Sequence, residues 1–193
     1  MALIELHNLT FAYEGSYDNL FENLSLRLDS SWRLGVVGRN GRGKSTLLRL
    51  IAGELPHGGA VSMPLPCIYF PFPVVRPERE TLEVLEELNP ELPQWKLRRE
   101  LSLREVDEGA LYRPFSSLSG GERVKALLAV LFLRENCFPL IDEPTDHLDL
   151  EGRQVVSRYL HRQQGFMLVS HDRAFLDGCV DHILALERQD IQV

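Results

Sequence analysis

The sequence predicts an α/β fold with a core parallel sheet, an antiparallel β edge and an inserted helical lobe. Four stretches carry that prediction. Arg33-Leu34-Gly35-Val36-Val37 is an apolar run that passes through a glycine-rich stretch, 38–45, into the helix-like segment 46–52. Residues 138–141 and 166–169 are short apolar runs that read as buried strands, each delivering polar residues at its end. From Thr81 to about Glu108 the pattern turns helical, with Leu82, Leu85 and Leu88 spaced for one face.

Taken in order, Leu3-Ile4-Glu5-Leu6 and Asn23-Leu24-Ser25-Leu26-Arg27-Leu28 alternate as half-buried strands do, and a Gly/Ser/Asp/Asn turn near 14–19 separates them. They are expected to form the antiparallel edge. Tyr13 lies on the loop leaving the first strand, where an aromatic ring is placed to stack on adenine; a half-exposed aromatic at a strand end would look the same. The stretch Gly38-Arg39-Asn40-Gly41-Arg42-Gly43-Lys44-Ser45 fits G-x-x-x-x-G-K-S between a strand and a helix. A phosphate chain has to be approached by bare backbone, which Gly38, Gly41 and Gly43 allow, and the following helix points its N-terminus at the anion. Asn40 and Thr46 complete the wall of that cradle. Lys44 would reach the β- and γ-phosphates, and the Ser45 hydroxyl would ligate Mg²⁺.

Gly53, Pro56, Gly58 and Gly59 are expected to stop regular structure. A Pro-rich passage runs from 64 to 77, within which Ile68-Tyr69-Phe70 reads as a short strand, and the helical lobe is expected over roughly 73–134. Ser119 and Glu122 have capping-box spacing ahead of Val124, Leu127, Leu128 and Leu131. Gly120 and Gly121 bare the amides of that helix start, which makes a second anion site. Phe138-Pro139-Leu140-Ile141-Asp142-Glu143 ends in two carboxylates. At the carboxyl edge of a parallel sheet Asp142 would lie beside the glycine loop and hold the Mg²⁺ shell, with Glu143 placed to orient or deprotonate a water. A helix is expected over 151–164, ended by Gly165. The strand 166–169 then delivers Ser170-His171-Asp172, with His171 in reach of a γ-phosphate, and 182–186 is a last strand.

The chain has 193 residues, 44% of them hydrophobic and 25% charged, which is ordinary for one globular domain with a real core. The net charge of −7 argues against a nucleic-acid-binding surface over the whole domain. Between Glu78 and Glu108 ten acidic residues outnumber five basic ones, a local balance of −5 that reads as a solvated helical face. Cys67, Cys137 and Cys179 are odd in number and far apart, with no C-x-x-C pair, so neither a disulfide framework nor a zinc site is suggested. No apolar run approaches a membrane span and the first residues lack the pattern of a signal peptide, so the protein is expected in the cytoplasm.

The phosphate loop, Leu118-Ser119-Gly120-Gly121-Glu122, Ile141-Asp142-Glu143-Pro144-Thr145 and Ser170-His171-Asp172 occur in one order whose spacing resembles the ABC ATPase family throughout the chain. The L-S-G-G-E stretch separates that family from other phosphate-loop NTPases. The resemblance implies a nucleotide-binding domain that binds Mg·ATP and hydrolyses it to ADP and phosphate. Tyr13 becomes the adenine-stacking residue, Lys44 and Ser45 the phosphate and Mg²⁺ ligands, Asp142 the second Mg²⁺ residue, Glu143 the general base and His171 the γ-phosphate switch. The active site would be completed by a second cassette, to which Ser119, Gly120, Gly121 and Asp149, in the Asp146-His147-Leu148-Asp149 loop, would contribute.

One step further, Glu143-Pro144-Thr145-Asp146-His147-Leu148-Asp149 is similar to the E-P-T-N-H-L-D of ABC-F proteins, soluble twin-cassette factors that act on the ribosome. The opening 9–19 looks like the first cassette of their antibiotic-resistance branch. Two positions depart from the pattern: Asp146 stands where Asn is usual, and Phe72 stands where the glutamine of the Q-loop is expected. The reading implies a single cassette excised from a longer two-cassette chain. The alternative is the ATP-binding subunit of an ABC membrane transporter.

Overall fold

The structure, a computed structural model, describes residues 2–186, 191 and 192. Among these described residues, nine strands and six α-helices follow one another as β1 (Leu3–Phe11), β2 (Phe21–Asp29), β3 (Arg33–Gly38), α1 (Lys44–Ile51), β4 (Gly58–Ser62), β5 (Cys67–Phe70), α2 (Thr81–Leu88), α3 (Gln94–Ser102), α4 (Gly120–Leu133), β6 (Phe138–Asp142), α5 (Leu150–His161), β7 (Phe166–Val169), α6 (Arg173–Cys179), β8 (His182–Leu186) and β9 (Ile191–Gln192). Two short 3-10 turns, Glu108–Tyr112 and Phe115–Ser117, lead into α4.

The main sheet has the order β5-β6-β7-β3-β8-β9 and is parallel except for β9 against β8. Its strands read as unbroken apolar runs because both faces are covered. Phe138, Leu140, Met167, Val169, Leu34 and Val36 point into one core, which they share with Leu47, Leu48, Leu50 and Ile51 of α1 and with β1 and β2. Ile141, Phe166 and Leu168 point the opposite way, into a second core filled by α2 through α6. The alternation along each strand is the ordinary period of two.

The antiparallel strands were expected as an edge of this sheet. They form instead a sheet of their own, β2-β1-β4, packed over α1. Gly58 and Gly59, expected to stop regular structure, begin β4, which pairs with β1 from Glu5↔Ser62 to Thr10↔Gly58. The helical pattern expected over 81–108 resolves into two helices, α2 and α3, separated by Asn89-Pro90-Glu91-Leu92-Pro93. α5 stops at His161, two residues beyond which the chain still turns before Gly165 at φ 64°. α6 was not anticipated; it is seven residues long and is capped by the Asp172 side chain, which accepts from the amide of Phe175 at 3.0 Å.

Candidate active site

Because β3, β6 and β7 are parallel and adjacent, their carboxyl ends open on one edge of the sheet. The register places Val36 opposite Val169 and Val169 opposite Asp142. Gly38, Asp142 and Ser170-His171 therefore leave the sheet side by side. The separation in sequence is closed by strand pairing alone.

The phosphate loop bends from β3 into α1 through Gly41 at φ 78° and Gly43 at φ 86°, a region that costs side-chain-bearing residues energy. At Gly43 a Cβ would also lie 2.8 Å from the Phe21 ring. Asn40, Gly41 and Ser45 are exposed, whereas Lys44, the first residue of α1, is buried, with its ammonium donating to the carbonyls of Gly38 at 3.0 Å and Arg39 at 3.4 Å. That places the ammonium within the loop, at the end of α1 where the helix dipole already favours an anion. Beside the loop, between the end of β7, α6 and β8, lies a cleft of about 590 Å³ whose polar wall is Arg39, Arg42, Ser170, His171 and Arg173 and whose apolar wall includes Leu176 and Leu186; Lys44, Ser45, Asp142 and Glu143 do not line it. Sequence reasoning missed the three arginines as a group, although two of them occupy the unspecified positions of the motif. Together they make one wall of the cleft positively charged.

Tyr13 lies on the loop that leaves β1, a strand of the other sheet, yet reaches the same helix. Its hydroxyl lies 2.7 Å from Thr46 Oγ1, its ring stands edge-on to Phe11 at 4.9 Å, and half its surface is exposed. Thr46 itself is buried, and its hydroxyl meets that of Tyr13.

Asp142 ends β6 with its two oxygens in different circumstances. Oδ2 accepts from the Tyr69 hydroxyl at 2.6 Å, while Oδ1 is buried without a partner among the described residues. A buried carboxylate oxygen left unpaired is costly unless something else coordinates it. The donor chemistry fits Mg²⁺, a hard ion that prefers oxygen: the Asp142 carboxylate and the Ser45 hydroxyl at the start of α1 would hold it. Among the described residues no three His, Cys, Asp or Glu side chains cluster to hold a metal. The ion would thus draw its remaining ligands from phosphate oxygens and water, as Mg²⁺ commonly does.

Glu143 adopts φ 46°, and its amide donates to Val169 O at 2.9 Å. This left-handed residue turns the side chain out of the sheet direction toward β7's end. Its Oε2 accepts from the His171 amide at 3.1 Å, and His171 Nε2 stands 2.9 Å from Oε1. The second contact lacks the alignment of a hydrogen bond, so Oε1 counts as unpaired and the interaction is one of charge when the imidazole is protonated. Burial, opposed by the His171 amide and imidazole, holds the Glu143 carboxyl above the ordinary carboxylate range. A raised proton affinity is what a base needs in order to accept a proton from water. Behind the pair, Thr145 Oγ1 and Ser170 Oγ meet at 3.1 Å, both residues buried, and fix the two loops to each other.

Ser119, Gly120 and Gly121 are built elsewhere. The capping box is present: Glu122 N donates to Ser119 Oγ at 3.2 Å and Ser119 N donates to Glu122 Oε2 at 2.7 Å. A Cβ on Gly120 would sit 2.8 Å from His147 Cβ, and one on Gly121 would meet His147 O and Leu148. The neighbours of this helix start are thus the 146–149 loop rather than the phosphate loop. Asp149 caps α5 by accepting from Gly152 N at 2.7 Å.

The chain resembles known proteins along its length. It is 32% identical over 180 residues to the ATP-binding protein YheS of Escherichia coli O6:H1, covering 90% of this chain and 28% of that protein. It is 33% identical over 181 residues to ATP-binding cassette sub-family F member 3 of Mus musculus, covering 90% of this chain and 25% of that protein. The chain therefore spans less than a third of the length of these relatives. In structure it overlays a nucleotide-free ATP-binding cassette from an ABC transporter with a TM-score of 0.80 at 17% identity, covering 100% of this chain and 90% of that one, a likeness of fold. The family model described as ABC transporter matches residues 21–146, from β2 through the phosphate loop and the capped glycines to Asp146. With this site on that fold, the chain belongs to the ABC ATPase family, whose cassettes are ATPases that bind ATP and work in pairs, and it is similar to the ABC-F branch.

Proposed function

We propose that residues 1–193 form one ATP-hydrolysing cassette of a two-cassette ABC-F factor that acts on the ribosome in the cytoplasm, with 73–134 as its helical lobe. The observation that carries the hydrolysis is the placing of Glu143 one residue beyond Asp142, on the sheet edge that holds Gly38 and Lys44, with both its oxygens within reach of His171. Tyr13 would stack on the adenine. Gly38, Asn40, Gly41, Gly43, Lys44, Ser45 and Thr46 would wrap the phosphates, with Ser45 and Asp142 on Mg²⁺. The metal would neutralise charge on the β- and γ-phosphates. Glu143 takes the proton of, or orients, the attacking water, and His171 would leave Glu143 for the γ-phosphate as the site fills. Ser119, Gly120, Gly121 and Asp149, at the α4 start and the 146–149 loop, would serve the second cassette's nucleotide.

The ABC-F role is supported by the 143–149 segment and by the sub-family F relative, and Phe72 in place of glutamine agrees with it. Phe72 packs edge-on to Phe70, and the Arg134 guanidinium lies 5.6 Å from its ring, so this position is filled by packing rather than by a polar side chain. No helix among the described residues is long and apolar enough to cross a membrane. Protection of the ribosome from an antibiotic is the finer form of this proposal. The transporter subunit is the second reading, favoured by the fold likeness to a transporter's cassette. The native reading frame beyond this chain separates them: a charged helical linker and a second L-S-G-G stretch go with the ABC-F factor, a stop codon with the transporter subunit.

The hydrolytic reading is tested by Glu143→Gln, which keeps the shape of the side chain and removes its basicity. The variant is expected to bind ATP as the unaltered protein does and to lose turnover by about 10²–10⁴-fold, as removal of a general base does. Single-turnover hydrolysis in a protein carrying both cassettes measures it. Turnover at the unaltered rate would remove Glu143 as the base, and an unaltered protein that shows no turnover at all would leave a binding module.

A further inference from the structure

Tyr69 was read from the sequence as no more than part of a short strand, yet its hydroxyl makes a 2.6 Å bond to the carboxylate at the end of the neighbouring strand. The geometry points to Tyr69 as a positioning residue for the metal: it fixes one oxygen of Asp142 so that the other is presented to Mg²⁺. The inference rests on reading Asp142 as a Mg²⁺ ligand.

The placement follows from register. β5 and β6 are parallel, with Tyr69 opposite Leu140 and Phe70 opposite Ile141. Leu140 points into the core shared with α1, and Tyr69 packs against the same core, so both lie on the α1 face of the sheet. Asp142, two residues after Leu140, takes that face as well. A side chain must therefore reach across a diagonal, from one strand to the residue two further along its neighbour, which an aromatic or other long side chain can span and a short one cannot. Tyr69 supplies that length together with a donor at its tip. At 2.6 Å the bond has the length of a hydrogen bond to a charged carboxylate.

The consequence lies in what Asp142 can then do. A carboxylate turns about its terminal torsion with little resistance, since such torsions have broad, shallow wells. With Oδ2 held by the phenol that freedom is lost, and Oδ1, which is buried and has no partner among the described residues, is the oxygen left for an ion. The partner behind a metal ligand commonly sets metal affinity by 10–100-fold. Tyr69 touches neither nucleotide nor water in this scheme and acts through Asp142.

Tyr69→Phe removes the hydroxyl and keeps the ring, and it is best examined in a Glu143→Gln background so that ATP persists. Three quantities are measured on the full chain: the Mn²⁺ concentration at half-saturation in the presence of ATP, followed by electron paramagnetic resonance; the affinity for a fluorescent ATP analogue in EDTA; and Tm. The expected result is a 10–100-fold higher Mn²⁺ midpoint, with metal-free nucleotide affinity within about twofold and Tm little changed. An unchanged midpoint in a folded Tyr69→Phe overturns the proposal. So does a parallel fall in metal-free affinity and Tm, which would make the hydroxyl a matter of packing. Asp142→Asn is the control: if it too leaves the Mn²⁺ midpoint unmoved, Asp142 is not a metal residue and the underlying reading fails first.

Discussion

Tyr13 shows what one residue gains from its surroundings. From the sequence it is one of three aromatics in 11–17; in the structure Phe11 is buried, Tyr17 is fully exposed, and Tyr13 alone is tied to the phosphate-binding helix through Thr46. Base–aromatic stacking is worth about 1–3 kcal/mol, whereas a single hydroxyl bond contributes a net of about 0.5–1.5 kcal/mol. Tyr13→Ala is therefore expected to weaken ATP and ADP alike by the former amount, and Tyr13→Phe to keep most of that affinity. Calorimetric titration of both nucleotides decides it, and a silent Tyr13→Ala would mean the base lies elsewhere. Lys44 was legible from its motif, but its burial and its bonds to two loop carbonyls were not. Nor was the pairing of Tyr69 with Asp142, because a diagonal contact between strands 73 residues apart leaves no local pattern.

At the scale of elements, the start of α4 and the 146–149 loop behave as one unit. In a helix interior, replacing Gly by Ala ordinarily stabilises by about 1 kcal/mol through lost backbone freedom. At Gly120 the new Cβ would lie 2.8 Å from His147 Cβ, a contact that has to be relieved by moving backbone, and such overpacking costs about 1–3 kcal/mol. At Gly121 the nearest atoms are 3.5 Å and 3.6 Å away, which is ordinary contact. Gly120→Ala should thus destabilise and Gly121→Ala should stabilise slightly, with denaturant unfolding of each as the measurement. A stabilising Gly120→Ala would show that the 146–149 loop yields. The capping box was legible because Ser and Glu three apart bond to backbone groups next to them. The break between α2 and α3 is also written in Pro90 and Pro93, which no helix interior accommodates.

For the whole molecule, the phosphate loop and the capped glycines belong to different surroundings, the first at the carboxyl edge of the main sheet and the second against the 146–149 loop. On the proposed reading, a second cassette or a second copy brings one set to the other. Turnover of the isolated chain is expected to be slow and to rise more steeply than linearly with protein concentration, and Glu143→Gln should move to dimer mass when ATP is added in size-exclusion chromatography with light scattering. Turnover strictly proportional to concentration, with no ATP-dependent dimer, would mean that one cassette suffices. The sequence by itself determined the strand–loop–helix unit, the two carboxylates at a strand's end, the helix cap and their order along the chain, since each depends on residues within a few positions of one another. The tertiary structure decided what pairing alone can bring together: β1, β2 and β4 as a sheet of their own, Tyr13 on Thr46, Glu143 on His171 and Tyr69 on Asp142. Those contacts join segments that the chain separates by tens of residues, and a local pattern carries no record of which strand lies beside which.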